Sequence, residues 1–320
     1  MRILVTGASG FVGRALVERL SREAEHEVIA TVRRPESALV AGVTYVTVGD
    51  LDSSTDWSAA VRACDVVVHA AARVHLIKDA AADPLAAFRR VNVQGTLNLA
   101  RQAIASGVRR FVFVSSIKVN GEETLPARPF DAADEPAPID AYGRSKLEAE
   151  LGLRELLADA GIAWVIVRPP LVYGPHVKAN FLRMMRWVKR GVPLPFAGVR
   201  NRRSFVALEN LVSLLHRCSV HPSAADQVFL AADGEDLSTP DLLRRLGVAL
   251  GTPARLIDVP PAMLSAAAWL TGKRDLARRL LGNLQVDAAK ARAVLDWAPE
   301  VTVDEALKKT ADAFLATVRT

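Results

Sequence analysis

The apolar positions of this chain fall into short blocks that alternate between two periods. Arg2-Ile3-Leu4-Val5 is an apolar run long enough for one buried strand, and Val12, Leu16 and Leu20 then recur every four residues, the spacing of one helical face. Further strand-like runs occur at 26–32, 44–48, 65–69, 111–114 and 163–167. Between them, Asp83-Pro84 reads as an N-cap followed by a first-turn proline, opening a helix to Ala105 that Gly107 ends. A second long helix runs from about Tyr142 to Ala160. This alternation predicts an α/β fold with a doubly wound parallel sheet. Beyond Pro175 the alternation fails: a helix over 180–190, a turn-rich stretch over 191–201, one more strand at 227–230, and helices over 242–250, 262–270 and 304–318. The expected division is a larger domain of 1–175 with a returning segment at about 205–235, and a smaller, mostly helical C-terminal lobe of 176–204 and 236–320 capping the sheet edge.

Composition narrows the function classes. Half of the 320 residues are hydrophobic and 24% are charged, the balance of a soluble globular protein. A net charge of +6 with arginines scattered through helices argues against nucleic acid and suits an anionic small molecule. The two cysteines, Cys64 and Cys218, lack metal-ligand spacing, so a reducing compartment and no metal are expected. The stretch from Val259 to Leu270 is too short to span a bilayer, and a packed helix of the smaller lobe is expected there. With no leader segment before the first strand, a cytoplasmic location without membrane insertion is expected.

Candidate chemistry lies at the strand ends. Thr6-Gly7-Ala8-Ser9-Gly10-Phe11-Val12-Gly13 joins the first strand to the first helix as a Rossmann-type dinucleotide turn, with the helix N-terminus offered to a pyrophosphate. The acid that would hold ribose hydroxyls is missing after Val28, and Arg33-Arg34 follow the strand instead. Guanidinium groups suit a 2′-phosphate, which favours NADP(H) over NAD(H); solvated loop arginines are the alternative. Asp50, past the third strand, is placed for an adenine amino group or a turn cap, and Ala70, Ala71 and Ala72 let backbone lie close to a cofactor. Asn92, inside a helix, suggests a bond to neighbouring main chain and is counted among the candidate cofactor-binding residues, while Cys64 and His69 read as structural. Ser115-Ser116 stands at the C-terminal edge of the fifth strand, and a long proline-rich loop, 121–140, delivers Tyr142 and Lys146, four apart on one helical face. An ammonium beside a phenol favours the phenolate, so Tyr142 with Lys146 forms an acid–base pair, Ser116 orients the substrate oxygen, and hydride transfer at an alcohol carbon follows.

The chain is similar throughout to the extended short-chain dehydrogenase/reductases of the nucleotide-sugar epimerase/dehydratase group. Gly7, Gly10 and Gly13 match the glycine motif, and Ser116, Tyr142 and Lys146 match the catalytic set. Ser115-Ser116-Ile117-Lys118-Val119-Asn120-Gly121 resembles the Ser-Ser-Ala-Thr-Val-Tyr-Gly pattern of UDP-galactose 4-epimerases. The resemblance implies that Asp50-Leu51 contact adenine, Lys146 the nicotinamide ribose, Asn180 the substrate diphosphate and Arg203 a phosphate; Arg278 and Arg279 both remain candidates for the nucleotide. It also implies a homodimer through the helices at about 84–105 and 142–160. Three departures stand out: Val32 where the group usually has Asp, Lys118 for threonine and Asn120 for tyrosine. The expected function is NADPH-dependent reduction of a UDP-4-keto-6-deoxy-N-acetylhexosamine in bacterial surface-polysaccharide synthesis. A UDP-hexose 4-epimerase with tightly bound NAD is the alternative, and a non-catalytic NAD(P) sensor the third.

Overall fold

The computed structural model describes residues 1–34, 40–74, 83–272 and 274–318. Its larger sheet is formed by β1 (Arg2–Thr6), β2 (Glu27–Val32), β3 (Thr44–Thr47), β4 (Val66–His69), β5 (Arg110–Val114), β6 (Ala163–Arg168) and β9 (Gln227–Leu230). The order is β3-β2-β1-β4-β5-β6-β9, with every pairing parallel. Strand order reverses between β1 and β4, which opens a crevice at the strands' C-terminal ends, where open α/β sheets bind ligands. The pleat sends Ile3 and Val5 to one face and Leu4 to the other. The first face packs on α1 (Phe11–Leu20) and α7 (Leu208–Val220); the second packs on α4 (Thr96–Ala105) and α5 (Ala141–Asp159). Burial on both faces explains why these strands read as nearly continuous apolar runs.

A second core lies over the strand ends. Tyr173, Phe181, Met185, Phe205, Leu246 and Leu307 meet there, joining β7 (Leu171–Tyr173), α6 (Ala179–Lys189), β8 (Arg203–Ala207), α8 (Thr239–Ala249) and α12 (Val303–Val318). β8 sits between β7, parallel to it, and the antiparallel β10 (Asp236–Leu237) in a three-stranded sheet. Strands of two and three residues carry too few positions for a period to be visible in sequence. Two stretches depart from the expected lobe division. Tyr173 packs in the second core, whereas Ala291 and Leu295 of α11 (Ala289–Leu295), with Trp297, return to the first.

Local expectations were met or corrected in particular ways. Asp83 caps α3 (Pro84–Phe88), its Oδ1 accepting from the Ala86 N–H at 3.0 Å. The expected single helix over 84–105 is interrupted by a π-helical segment, Arg89–Gly95, before α4. The long 121–140 loop is pinned rather than free: Thr124 N–H donates to Asn283 O at 3.0 Å, and Phe130 N–H to Gln285 O at 2.9 Å. The apolar helix α9 (Pro261–Leu270) is not packed as expected: none of its residues is buried, and Leu270 is 76% exposed. No helix among the described residues is long and apolar enough to cross a membrane.

Candidate active site

The glycine turn is dictated by close approach. Gly7 adopts φ +70°, and a Cβ there would lie 2.8 Å from Ala71 backbone; a Cβ on Gly13 would lie 2.2 Å from Gly7 O. Gly10 N–H closes the turn on Gly7 O at 2.8 Å, and no side chain caps the first turn of α1. Ser9, Gly10, Phe11 and Val12 therefore border a backbone cradle that fits a pyrophosphate, which a methyl group at Gly7 or Gly13 would disrupt.

Other predicted contacts line the same sheet edge. Arg33 and Arg34 are exposed just past β2, while Asp50, exposed, and Leu51, half-buried, follow β3. Ala70, Ala71 and Ala72 extend β4, with the Ala71 N–H 3.3 Å from Thr6 Oγ1. Behind them His69 is a strut, its ring nitrogens bonded to Thr6 Oγ1 at 2.6 Å and Thr96 Oγ1 at 2.9 Å. Burial, then Lys146, pushes its imidazole down to about 3, so it is neutral at physiological pH. Asn92 does clamp main chain: it accepts from Arg73 N–H at 2.8 Å and donates to Arg73 O at 3.0 Å and Ser145 Oγ at 3.0 Å.

Ser116 and Tyr142 are brought together. Ser116 caps the 3-10 turn Ile117–Val119, accepting from Lys118 N–H at 3.3 Å. Asp140 caps α5 by accepting from Gly143 N–H at 2.7 Å, and the absence of a side chain at Gly143 lets the helix approach Lys118 O, where a Cβ would sit 2.7 Å away. The Tyr142 side chain is consequently brought to the same cavity wall as Ser116, which eases ionisation of the phenol, with the ring edge on Phe88 at 5.9 Å. Ser115, by contrast, donates to the buried Glu150. Glu150 pairs with Arg168, whose Nη1 donates to Asn120 Oδ1 at 3.0 Å. Asn120 thus serves the buried frame beneath the site, and Ser116 is the serine left facing it.

The electrostatics differ from the sequence expectation. Lys146 is buried, donates to Val114 O at 2.8 Å and lies 4.4 Å from the Phe113 ring centre. Burial pushes its ammonium down to about 7 against the pull of Glu150. Desolvation and the Asp140 charge push the Tyr142 phenol up to about 12 despite the opposing influence of the Ser116 hydroxyl. Within the protein alone, burial outweighs the expected ammonium assistance to the phenolate.

A cavity of about 410 Å³ extends from Ser116 and Tyr142 to Asn180 and Arg203 across the gap between the lobes. Arg203 donates to Gly282 O at 3.0 Å, and burial lowers its guanidinium to about 10. Both Arg278 and Arg279, on α10 (Arg274–Leu281), line this cavity. So do Arg183, Lys118 and Glu122, which sequence reasoning did not select; Arg183 falls three residues after Asn180 on α6, a neighbour spacing that could have marked it. Arg33, Arg34 and Asp50 are outside this cavity's lining. No group of side chains among the described residues could hold a metal ion.

Fold and family define an enzyme of the extended short-chain dehydrogenase/reductase type, and the chain belongs to the NAD dependent epimerase/dehydratase family, whose model matches residues 3–232. It is 47% identical over 314 residues to a UDP-glucose 4-epimerase of Vibrio cholerae, covering 98% of this chain and 95% of that one. Among solved structures it is similar to UDP-glucuronic acid 4-epimerase from Bacillus cereus in complex with UDP-glucuronic acid and NAD, with TM-score 0.80, 20% identity and coverage of 99% and 100%. It is also similar to UDP-glucose 4-epimerase from Thermotoga maritima with UDP-glucose, with TM-score 0.79, 22% identity and the same coverages. At those identities the structural likeness is one of fold.

Proposed function

We propose that the protein is a UDP-hexose 4-epimerase working with NAD. The observation that carries the substrate class is the cavity itself: a serine and a tyrosine hydroxyl at one end and Arg183, Arg203, Arg278 and Arg279 along it, a set suited to a sugar carried on a nucleoside diphosphate. Full-length likeness to the Vibrio cholerae protein favours epimerisation over the ketoreduction expected from sequence. Gly7, Gly10 and Gly13 would hold the cofactor pyrophosphate, Asp50 and Leu51 the adenine, and Tyr142 and Lys146 the ribose. When bound, NAD supplies a hydride acceptor whose positive ring favours the phenolate. Tyr142 takes the proton of the sugar hydroxyl and later returns it, Ser116 holds the same oxygen, and Asn180 and Arg203 retain the diphosphate while the sugar turns over.

A second reading, NADPH-dependent reduction of a UDP-4-keto-6-deoxy sugar, is supported by exposed Arg33 and Arg34 following Val32, with no acid at the strand end. Purified protein should be incubated with UDP-glucose, and separately with UDP-4-keto-6-deoxy-GlcNAc and NADPH. Interconversion of UDP-glucose and UDP-galactose without added cofactor is the expected result. Oxidation of NADPH by the keto sugar, with UDP-hexoses left unchanged, would overturn it in favour of the reductase.

A further inference from the structure

Lys118 departs from the threonine of the Ser-Ser-Ala-Thr-Val-Tyr-Gly pattern, and its surroundings give it a task of its own. Its backbone belongs to the turn that presents Ser116, and its side chain is only 22% exposed at the cavity wall. Nζ bonds Asp140 Oδ2 and Glu122 Oε1, the latter at 2.8 Å. Asp140 uses its other oxygen to cap the helix carrying Tyr142. Glu122 is held in turn by Arg278 of the cap at 2.9 Å.

We propose that Lys118 is a positioning residue for the acid–base step: by binding Asp140, it offsets a carboxylate charge that the N-terminus of α5 needs for capping but that opposes the Tyr142 phenolate. This rests on the reading of Tyr142 as the acid–base. Asp140 is two residues from Tyr142 and acts directly to hold its proton on. Helix capping and phenol ionisation therefore make opposite demands on one side chain, and a fixed cation between Asp140 and Glu122 reconciles them. Among the described residues, the other charged groups facing the phenol are Lys146 on α5 and, from the cavity it lines, Glu122, Arg183, Arg203, Arg278 and Arg279; Arg73 lies behind Phe88, 5.7 Å from that ring centre. Ser116 contributes only a neutral hydroxyl.

The test combines Lys118→Met, Lys118→Arg and Lys118→Met/Asp140→Asn, each checked for folding by thermal denaturation. Asparagine caps helices as well as aspartate, so the double variant removes the charge without removing the cap. Lys118→Met should shift the acid limb of the kcat profile upward by about one pH unit and lower kcat about tenfold on that limb. Lys118→Arg should restore the profile, and so should the added Asp140→Asn. Direct readout comes from carbon-13 tyrosine spectra of the NAD-loaded protein, which has three tyrosines; the Tyr142 signal, assigned with Tyr142→Phe, should show the same shift. An unmoved Tyr142 titration in Lys118→Met, or no recovery in the double variant, would overturn the proposal. Because the titration needs no turnover, failure of the epimerase reading would appear separately, as absence of activity in the unsubstituted protein.

Discussion

The two walls of the candidate active site are built on different physical principles. Tyr142 shares α5 with seven buried residues, Lys146 among them, and beneath them Ser115, Glu150, Arg168 and Asn120 satisfy one another's polar groups out of water. Opposite them, Arg278 and Arg279 ride on α10, which packs against the exposed α9. The wall proposed to move protons is fixed by burial, because a misplaced donor loses the reaction. The wall proposed to hold the diphosphate is fixed mainly by charge, which tolerates lighter packing. A buried ion pair such as Glu150–Arg168 adds little net stability, yet it permits few alternative positions for what rests on it.

The largest effect should come from the buried wall. Tyr142→Phe is expected to lower turnover by roughly 10²–10⁴-fold, the range for removing a general acid–base, while NAD affinity measured by calorimetry stays within about threefold. A loss of NAD binding as large as the loss of turnover would make the ribose contact, rather than acid–base chemistry, the main task of Tyr142.

Lys146 offers a second break, in stability rather than rate. Its folded-state pKa of about 7 lies below the ordinary value of 10.5, so protonation favours the unfolded chain. The penalty is absent above about 10.5, grows as pH falls through that window and is constant below about 7. Lys146→Met removes it along with the bond to Val114 O, whose loss costs about the same at each pH because a neutral amine also donates. The variant should therefore be inactive, and more favoured over the parent at pH 7 than at pH 10 by about 1–4 kcal/mol in chemical denaturation. A pH-independent difference would mean that Lys146 keeps its charge when buried.

On the opposite wall, Arg203→Ala should raise KM for a UDP-sugar about ten- to a hundredfold, the worth of one charged hydrogen bond, with a smaller change in kcat. Equal falls in kcat and kcat/KM would move Arg203 to the reacting end of the cavity.

This contrast also decides what could be read from sequence. The glycine turn, apart from the approach of Ala71 to Gly7, and the Tyr142–Lys146 spacing are set within a few residues, so the sequence exposes them. Asn92 was legible because an amide inside a helix needs a partner. The Lys118–Asp140 pair spans 22 residues and Glu122–Arg278 spans 156, and no local period encodes such meetings. The electrostatic expectation failed for a related reason: proximity of Tyr142 and Lys146 is visible in the sequence, but the burial that outweighs it is not. On α9, apolarity was read as packing, although residues apolar on all sides mark no particular face for a neighbour.

The smallest effect is expected there. Trp269 is 60% and Leu270 76% exposed, so replacing both by serine removes little buried area. What is lost is chiefly the contact of Arg274 over the Trp269 ring, 5.2 Å from its centre, worth about 0.5–1 kcal/mol at an exposed site. Trp269→Ser/Leu270→Ser should lower stability by less than about 1 kcal/mol and leave kcat within about twofold, because α10 keeps its own contact between Arg278 and Glu122. Denaturation at two protein concentrations sharpens the result. A larger loss that depends on concentration would mean that a second copy covers α9 in solution, and the two walls would then differ less in packing than the single chain suggests.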